Sequence, residues 1–210
     1  MAQETELKLS LSAQDLPRLL SHPLLATPAA PQRLFNTYFD TPDLALKARR
    51  MAVRERLAGE QWLLTVKTAG SSAGGLSRRQ EWESPTTPGA LDFAALVDDA
   101  ALVSELMDLR PTLKPLFATD FDRQRWVVEH AGARIEVALD QGRIHVPGTE
   151  WTEALLELEL ELLDGPEAAL HTLADALRAA PGAPGAPLAL TPSDASKAQR
   201  GLALWQRAQA

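Results

Sequence analysis

Alternating apolar and polar residues recur along most of the chain and predict β-strands. The first segment places Thr5, Leu7, Leu9 and Leu11 at every second position, with charged or polar residues between them. A period of two puts these two sets on opposite faces of a strand. The same alternation predicts further strands over residues 33–40, 51–57, 61–68, 76–83, 114–128, 134–140, 143–146 and 151–163.

Segments with helical spacing lie between and after these strands. Ser12 is followed three residues later by an acid, which is typical of a helix N-terminus. The predicted helices cover residues 12–21, 91–109, 167–179 and a last segment from about 193 to 208, where Ser193-Asp194 forms the cap, and the predicted loops cover 23–31, 70–75 and 180–187. Strands joined mainly by hairpins, with helices inserted between them, indicate an antiparallel β or α+β fold. We expect one domain over residues 1–210.

Composition narrows the function classes. The chain has 210 residues, of which 45% are hydrophobic and 23% charged, as in an ordinary globular domain. No run of about 18 apolar residues is present, so no transmembrane helix is predicted. The net charge of −7 argues against general nucleic-acid binding, which needs a basic surface. Because cysteine is absent and the chain starts with polar, acidic residues, we expect no disulfide, no thiolate metal site and a cytoplasmic location.

Charged residues concentrate on one face of most predicted strands. An open sheet with one solvated face explains any single strand of this kind. Across seven strands, however, long basic side chains and glutamates dominate that face, and the three alternate glutamates of the last strand repel one another unless cations lie between them. A closed barrel with a charged interior and helices packed on its apolar outside explains both faces. We therefore predict an α+β fold built on a closed eight-stranded antiparallel β-barrel.

The mixture of charges indicates the ligand of such a barrel. Clustered carboxylates without histidine or cysteine favour hard divalent cations, Mg²⁺ or Mn²⁺. Arginine and lysine in the same interior favour a polyanion, because guanidinium groups match phosphate oxygens. A metal ion and several basic side chains around a buried anion are typical of the active sites of phosphoryl-transfer enzymes. A linear triphosphate is a small molecule that would use all of these groups.

An ordered set of short motifs spans nearly the whole chain. It starts with Glu4-Thr5-Glu6-Leu7-Lys8 and continues with Tyr38-Phe39-Asp40-Thr41-Pro42-Asp43, Val53-Arg54-Glu55-Arg56, Thr65-Val66-Lys67, Gly74-Gly75-Leu76-Ser77-Arg78-Arg79-Gln80-Glu81, Arg123-Gln124-Arg125, Glu136 with Asp140, Glu157-Leu158-Glu159, and Ser196-Lys197. The pentad is similar to the ExExK signature of the CYTH superfamily, the triphosphate tunnel metalloenzymes, and the whole set resembles that family's successive strand motifs. Bacterial inorganic triphosphatases are the members that it resembles most. Some of them carry a second, histidine-rich helical domain after the CYTH domain. The resemblance is compatible with such a domain in a longer natural form of this protein.

The resemblance implies roles for the matching residues. The metal ligands would be Glu4, Glu6, Glu157 and Glu159, and the catalytic residues Glu4, Glu6, Lys8 and Glu159. The phosphates would be bound by Lys8, Arg54, Arg56, Lys67, Arg123 and Arg125, together with Lys197 on a C-terminal helix that plugs the tunnel. The supporting ion pairs would come from Arg79, Glu81, Glu83, Glu136 and Asp140. Glu161 extends the acidic pattern but is ranked below these residues, and Tyr38 is expected to have a packing role.

The predicted function is metal-dependent hydrolysis of inorganic triphosphate to diphosphate and phosphate. Class IV adenylate cyclase and thiamine triphosphatase are alternatives on the same fold, because they share the acids and cations. A non-catalytic polyphosphate- or nucleotide-binding module is an alternative of another class. The tryptophans Trp62, Trp82 and Trp126 are expected on outward strand faces, which leaves no evident platform for a nucleotide base. The histidines are expected at the surface: His22, His130, His145 and His171.

Overall fold

One sheet closes on itself in the computed structural model, which describes residues 2–179 and 187–210. Its strands within that part of the chain are β1 (Ala2–Ser10), β2 (Gln32–Asp40), β3 (Ala52–Ala58), β4 (Gln61–Lys67), β5 (Ser71–Ala73), β6 (Leu76–Pro85), β7 (Lys114–His130), β8 (Ala133–His145), β9 (Thr152–Asp164) and β10 (Thr191–Pro192). The helices described are α1 (Leu16–Leu20), α2 (Ala45–Ala48), α3 (Phe93–Leu96), α4 (Ala100–Leu109), α5 (Ala168–Ala179) and α6 (Lys197–Ala208). No helix in the described ranges is both long and apolar enough to cross a membrane.

The pairing order closes eight strands into a barrel. The order β1-β9-β8-β7-β2-β3-β4-β6 returns to its start because β6 also pairs with β1. In this closing pair, Glu4 lies opposite Arg79 and Leu7 opposite Leu76, and the strands are antiparallel. The short strands β5 and β10 extend the sheet beside β6 and β1. The predicted closed, eight-stranded antiparallel barrel is therefore confirmed.

Apolar side chains form two clusters on the outside of the barrel. In the first, α5 contributes Leu170 and Leu173, which pack with Leu158 and Leu160 of β9. The second lies under α3 and α4, on another part of the barrel's outer face, and includes Phe93, which is fully buried. Because neighbouring residues of a strand alternate in direction, burying these leucines outside turns the charged residues between them into the lumen.

The helix α6 closes one end of the lumen. Its Leu204 packs in a third apolar cluster with Phe117 and Leu155, whose side chains point inward from the strands. Gly201 approaches the Phe117 ring so closely that a Cβ would lie 2.0 Å from a ring carbon. The N-terminus of α6 has a capping box, in which Ser196 Oγ accepts from Gln199 N and the Gln199 side chain accepts from Ser196 N. These contacts fix the position of α6 on the barrel.

Two predicted strand and helix boundaries are wrong. The single helix expected over 91–109 is divided into α3 and α4, because Asp99 caps a new helix by accepting from Leu102 N at 3.0 Å. The two strands expected over 134–146 form the single strand β8, which continues through Gly142. A Cβ at Gly142 would lie 2.2 Å from the Asp120 carbonyl oxygen, so this glycine permits close strand approach instead of a turn.

Other segments also differ from the sequence predictions. The last helix starts at Lys197 instead of near Ser193, and β10 precedes it. Neither α2 nor β5 was predicted. His22 is only 3% exposed, and its Nδ1 accepts from Leu24 N at 3.2 Å, so its predicted surface position is wrong. Most of the loop predicted over 180–187 lies outside the described residues.

Candidate active site

A cavity of about 1000 Å³ occupies the lumen next to α6, and charged side chains dominate its wall. The predicted site residues on this wall are Glu4, Glu6, Lys8, Arg54, Arg56, Lys67, Arg79, Glu81, Glu83, Arg123, Arg125, Glu136, Glu159 and Lys197. The other two, Asp140 and Glu157, are buried and do not line the cavity. The structure thus gathers the predicted residues around one lumen but places two of them behind its wall.

The N-terminal acids are bound by basic residues of neighbouring strands. Glu4 accepts from Lys67 Nζ at 2.9 and 3.0 Å and from Arg79 Nε at 2.8 Å. Arg79 also donates to Glu6 at 2.7 Å and therefore holds both acids together. Burial alone would raise the pKa of Glu4, but attraction from Lys67 and Arg79 outweighs it and holds that pKa far below its usual value. Glu4 is therefore ionised in the folded protein.

Two arginines on β3, which we call the arginine pair, make no carboxylate contact shorter than 3.5 Å with the residues that the structure describes. Arg54 lies 3.5 Å from Glu83 and 3.7 Å from Glu81, whereas Lys67 approaches Glu81 to 2.8 Å. Arg56 donates to the neutral Asn36 Oδ1 at 2.7 Å, and its nearest carboxylate oxygen, on Glu83, is 3.9 Å away. Burial lowers the pKa of Arg56 to about 10, and repulsion from Arg54 and another lumen arginine adds to this effect. The arginine pair therefore forms an electropositive wall suited to an anion.

Three acids on the opposite side, Asp140, Glu157 and Glu159, form what we call the acidic trio. One oxygen from each lies within 4.8 Å of the others, a spacing that could hold a metal ion. The ammonium of Lys197 sits among them, 2.7 Å from Asp140 and 2.9 Å from Glu159, and also bonds Glu157. Arg123 contacts Asp140 twice at 2.7 Å and Glu159 at 2.6 Å.

These contacts decide the protonation of the trio. Burial opposes ionisation of Glu159 and Asp140, yet attraction from Lys197 and Arg123 outweighs it and lowers the pKa of both. Burial raises the pKa of Glu157, and repulsion from Glu159 adds to it. The same contacts raise the pKa of Lys197, although burial alone would lower it. The trio therefore carries negative charge that is matched from within the protein.

The four predicted metal ligands do not form one cluster. Glu157 and Glu159 lie in the acidic trio, whereas Glu4 and Glu6 form a separate group joined by Arg79. Within residues 2–179 and 187–210, the trio is the group whose ligand atoms approach closely enough for a shared ion. Asp140 completes it, although the sequence analysis gave this residue only a supporting role. Cross-strand register, not spacing along the chain, brings Asp140 opposite Glu157, so the sequence alone could not place it with these acids.

Glu161, which the resemblance placed below the other acids, is also a lumen carboxylate. It lines the cavity and lies opposite Glu6 on one side and Glu136 on the other. Among the residues described, no hydrogen-bond or ion-pair partner contacts it. Burial raises the pKa of Glu161 to about 7, and repulsion from Glu4 and Glu136 contributes. The signal was present in the sequence, because Glu161 continues the alternation of the other two β9 acids.

Arg125 and Tyr38 line the same cavity in different surroundings. Arg125 is 42% exposed and lies 3.6 Å from Glu136, so it stands at the more open part of the cavity. Tyr38 stacks on Phe117 with ring centroids 4.6 Å apart, which agrees with a packing role. Its hydroxyl lies 3.5 Å from Arg54.

Comparison with known proteins places this geometry in a family. The CYTH domain profile matches residues 2–185. Over 174 residues, the chain is 38% identical to a protein named inorganic triphosphatase from Haemophilus influenzae, an alignment that covers 79% of this chain and 46% of that protein. The chain therefore spans about half the length of that relative.

Solved structures show the same fold at low identity. A structure from Hippeastrum, described as a candidate adenylyl cyclase with a dominant triphosphatase activity, aligns with a TM-score of 0.66 at 20% identity and covers 98% of this chain and 96% of its own. A protein from Pyrococcus horikoshii OT3 aligns with a TM-score of 0.60 at 18% identity, covering 95% and 98%. The profile match and the sequence identity go further than the shared fold: this chain belongs to the CYTH domain family.

Proposed function

We propose that the lumen binds inorganic triphosphate together with a divalent cation and hydrolyses it to diphosphate and phosphate. The observation that carries this proposal is the arginine pair, two largely buried cations that line the cavity and whose nearest carboxylate oxygens lie 3.5 Å or more away. The 38% identity to a protein named inorganic triphosphatase supports it. The Hippeastrum protein, which shares the fold, is likewise described by its triphosphatase activity.

The lumen also fits a metal ion of the hard, divalent class. The acidic trio offers three carboxylates and no histidine or cysteine, the donor set that Mg²⁺ and Mn²⁺ accept. Asp140, Glu157 and Glu159 would hold such an ion, and Glu161, which has no cation of its own, would add a further oxygen donor in the cavity. When bound, the ion would neutralise phosphate charge and make a bound water more acidic.

The chain's own residues would bind and orient the substrate. A triphosphate carries about four to five negative charges, and guanidinium forks bind phosphate oxygens in pairs. Arg54 and Arg56 would hold it from β3, while Lys8, Lys67 and Arg123 line the same cavity. Water would attack the terminal phosphorus in line, a cavity carboxylate would accept its proton, and the bridging P–O bond would break to release diphosphate.

The aromatic residues favour inorganic triphosphate over a nucleotide. Trp82 and Trp126 belong to the two outer apolar clusters, as the sequence predicted. Tyr38 already stacks on Phe117. An adenine base would thus find no free aromatic face among these residues.

Phosphate release from several substrates tests the proposal. We expect kcat/KM for inorganic triphosphate with Mg²⁺ or Mn²⁺ to exceed that for ATP by at least about tenfold, or roughly 1.4 kcal/mol in transition-state binding. Excess EDTA should abolish turnover. As a matched pair, Arg54→Ala should lose activity while Arg33→Ala, whose side chain is 59% exposed outside the lumen, should retain it. Equal turnover of ATP, or formation of cyclic AMP, would favour the adenylate cyclase alternative.

A further inference from the structure

The ammonium of Lys197 separates the acidic trio from the cavity. Lys197 and Glu159 line the cavity wall, whereas Asp140 and Glu157 do not. The exposed fraction of the side chain is 0% for Asp140, 4% for Glu157 and 7% for Lys197. A cation that enters from the lumen therefore meets the Lys197 ammonium before it can reach two of the three acids.

The contacts of Lys197 imitate those of a bound cation. An ammonium has three N–H donors, and here one contact goes to each of the three carboxylates. The arginines hold the other oxygens of the two glutamates, because Arg123 bonds Glu159 Oε2 and Arg200 bonds Glu157 Oε2 at 3.2 Å, whereas Arg123 and Lys197 share Asp140 Oδ2. The Oε1 atoms of both glutamates point at the ammonium. Two guanidinium groups thus keep the trio oriented around a position that Lys197 occupies.

A divalent cation and this ammonium exclude each other. A metal ion bound by all three acids would lie about 2.0–2.6 Å from their oxygens, which is within the space between them that the ammonium occupies. A metal ion and an ammonium group that share this space would repel each other strongly, because the site is buried. The Lys197 ammonium must therefore move away before all three acids can bind a metal ion.

We propose that Lys197 is a built-in counter-ion that occupies the metal position of the acidic trio in the metal-free protein, and that a divalent cation displaces it into the cavity. This inference rests on the proposed function for its metal. Gly201 and Leu204 hold α6 against Phe117, so the helix would stay in place. The displacement would therefore move the Lys197 side chain alone. The freed ammonium would face the lumen, where a phosphate oxygen can replace its carboxylate partners.

Manganese binding without substrate tests the competition. We expect Lys197→Met to bind Mn²⁺ at least about tenfold more tightly than the unaltered chain, measured by calorimetry or by electron paramagnetic resonance of the free ion. Lys114→Met removes an exposed lysine that does not line the cavity, and its Mn²⁺ affinity should equal that of the unaltered chain. Equal or weaker Mn²⁺ binding by a folded Lys197→Met variant would overturn the proposal, because Lys197 would then be only a structural anchor.

The unaltered chain supplies a second measurement if Lys197→Met fails to fold. Brief labelling with an amine-reactive ester, mapped by mass spectrometry, should leave Lys197 unmodified without metal and modify it once Mg²⁺ or Mn²⁺ is added, while Lys114 is modified equally in both. Protection of Lys197 that does not change at saturating metal would refute the displacement. Phosphate release by the same preparation separates the two proposals: hydrolysis with unchanged protection rejects only this inference, whereas metal-dependent exposure without hydrolysis rejects only the proposed activity.

Discussion

Glu159 and Glu161 face the same lumen from the same strand, two residues apart, yet their surroundings are opposite. Glu159 contacts Lys197 and Arg123, and these cations lower its pKa well below the usual value. Glu161 has neither contact, and burial with repulsion from neighbouring acids raises its pKa to about 7. The region near α6 is therefore balanced by internal ion pairs, while the region around Glu161 holds unmatched charge.

The difference shows which part of the lumen is built for stability and which for a ligand. A buried ion pair is strongly destabilised when one partner is removed, because the other is left uncompensated. A buried charge without a partner destabilises the folded protein. A counter-ion that binds beside it stabilises the folded protein again. Glu161 is of the second kind, and Arg56, with the opposite sign, is close to it because its nearest carboxylate oxygen is 3.9 Å away. We expect substitutions in the two regions to separate stability from activity.

The largest effect should come from breaking the balanced region. Arg123→Met should lower the free energy of unfolding by about 3–5 kcal/mol, because Asp140, which is fully buried, loses two hydrogen bonds to a guanidinium. The matched variant Arg33→Met removes an arginine whose side chain is 59% exposed and should cost no more than about 1 kcal/mol. Urea unfolding of the metal-free chains measures both. Equal losses would mean that the ion pairs near α6 are no more stabilising than surface ones.

Substitution of an unmatched cation should affect activity instead. Arg56→Met should lower kcat/KM for triphosphate by about 10²–10³-fold, the range seen when one transition-state donor is removed. Its free energy of unfolding should change by no more than about 1 kcal/mol, since relief of repulsion from Arg54 and Arg123 offsets the lost hydrogen bond to Asn36. Steady-state kinetics and urea unfolding of one preparation provide the two numbers. A large stability loss with normal kinetics would reverse the assignment of this side chain.

The smallest effect concerns Glu161 and depends on pH. Its pKa is about 7 in the folded chain against an ordinary value of 4.5, so the folded state binds more protons between these values and the free energy of unfolding falls as pH rises. Glu161→Gln should therefore stabilise the metal-free chain by about 1–2 kcal/mol at pH 8, allowing for solvent screening, and by nothing near pH 4. The control Glu105→Gln removes an exposed partner of Arg49 and should show no such trend. A gain for Glu161→Gln that is the same at both pH values would contradict the assigned pKa.

The faces of the strands could be predicted from sequence, but the partners of the charges could not. Alternation along β1 was enough to place Glu4, Glu6 and Lys8 in a lumen, because period two is a local property. The contact of Lys197 with Asp140 depends on how α6 packs on Phe117 through Gly201, and no local pattern records that packing. The helix break before Asp99 was missed because Val97 continues the apolar spacing of a single helix. Strand register and helix packing, which periodicity does not reveal, thus determine the partners of the charged residues.

The closing pair of the barrel has a consequence for how the chain folds. The strand β1 is synthesised before every other strand described here, but β9, one of the two long strands that pair with it, is the last long strand. Until β9 is available, β1 has an unpaired edge, and such edges are the places where β-rich chains associate with one another. Contacts between segments far apart in sequence also slow folding. We therefore expect the ring to close late in folding, and the interval before closure to be the period when the chain is most prone to aggregate.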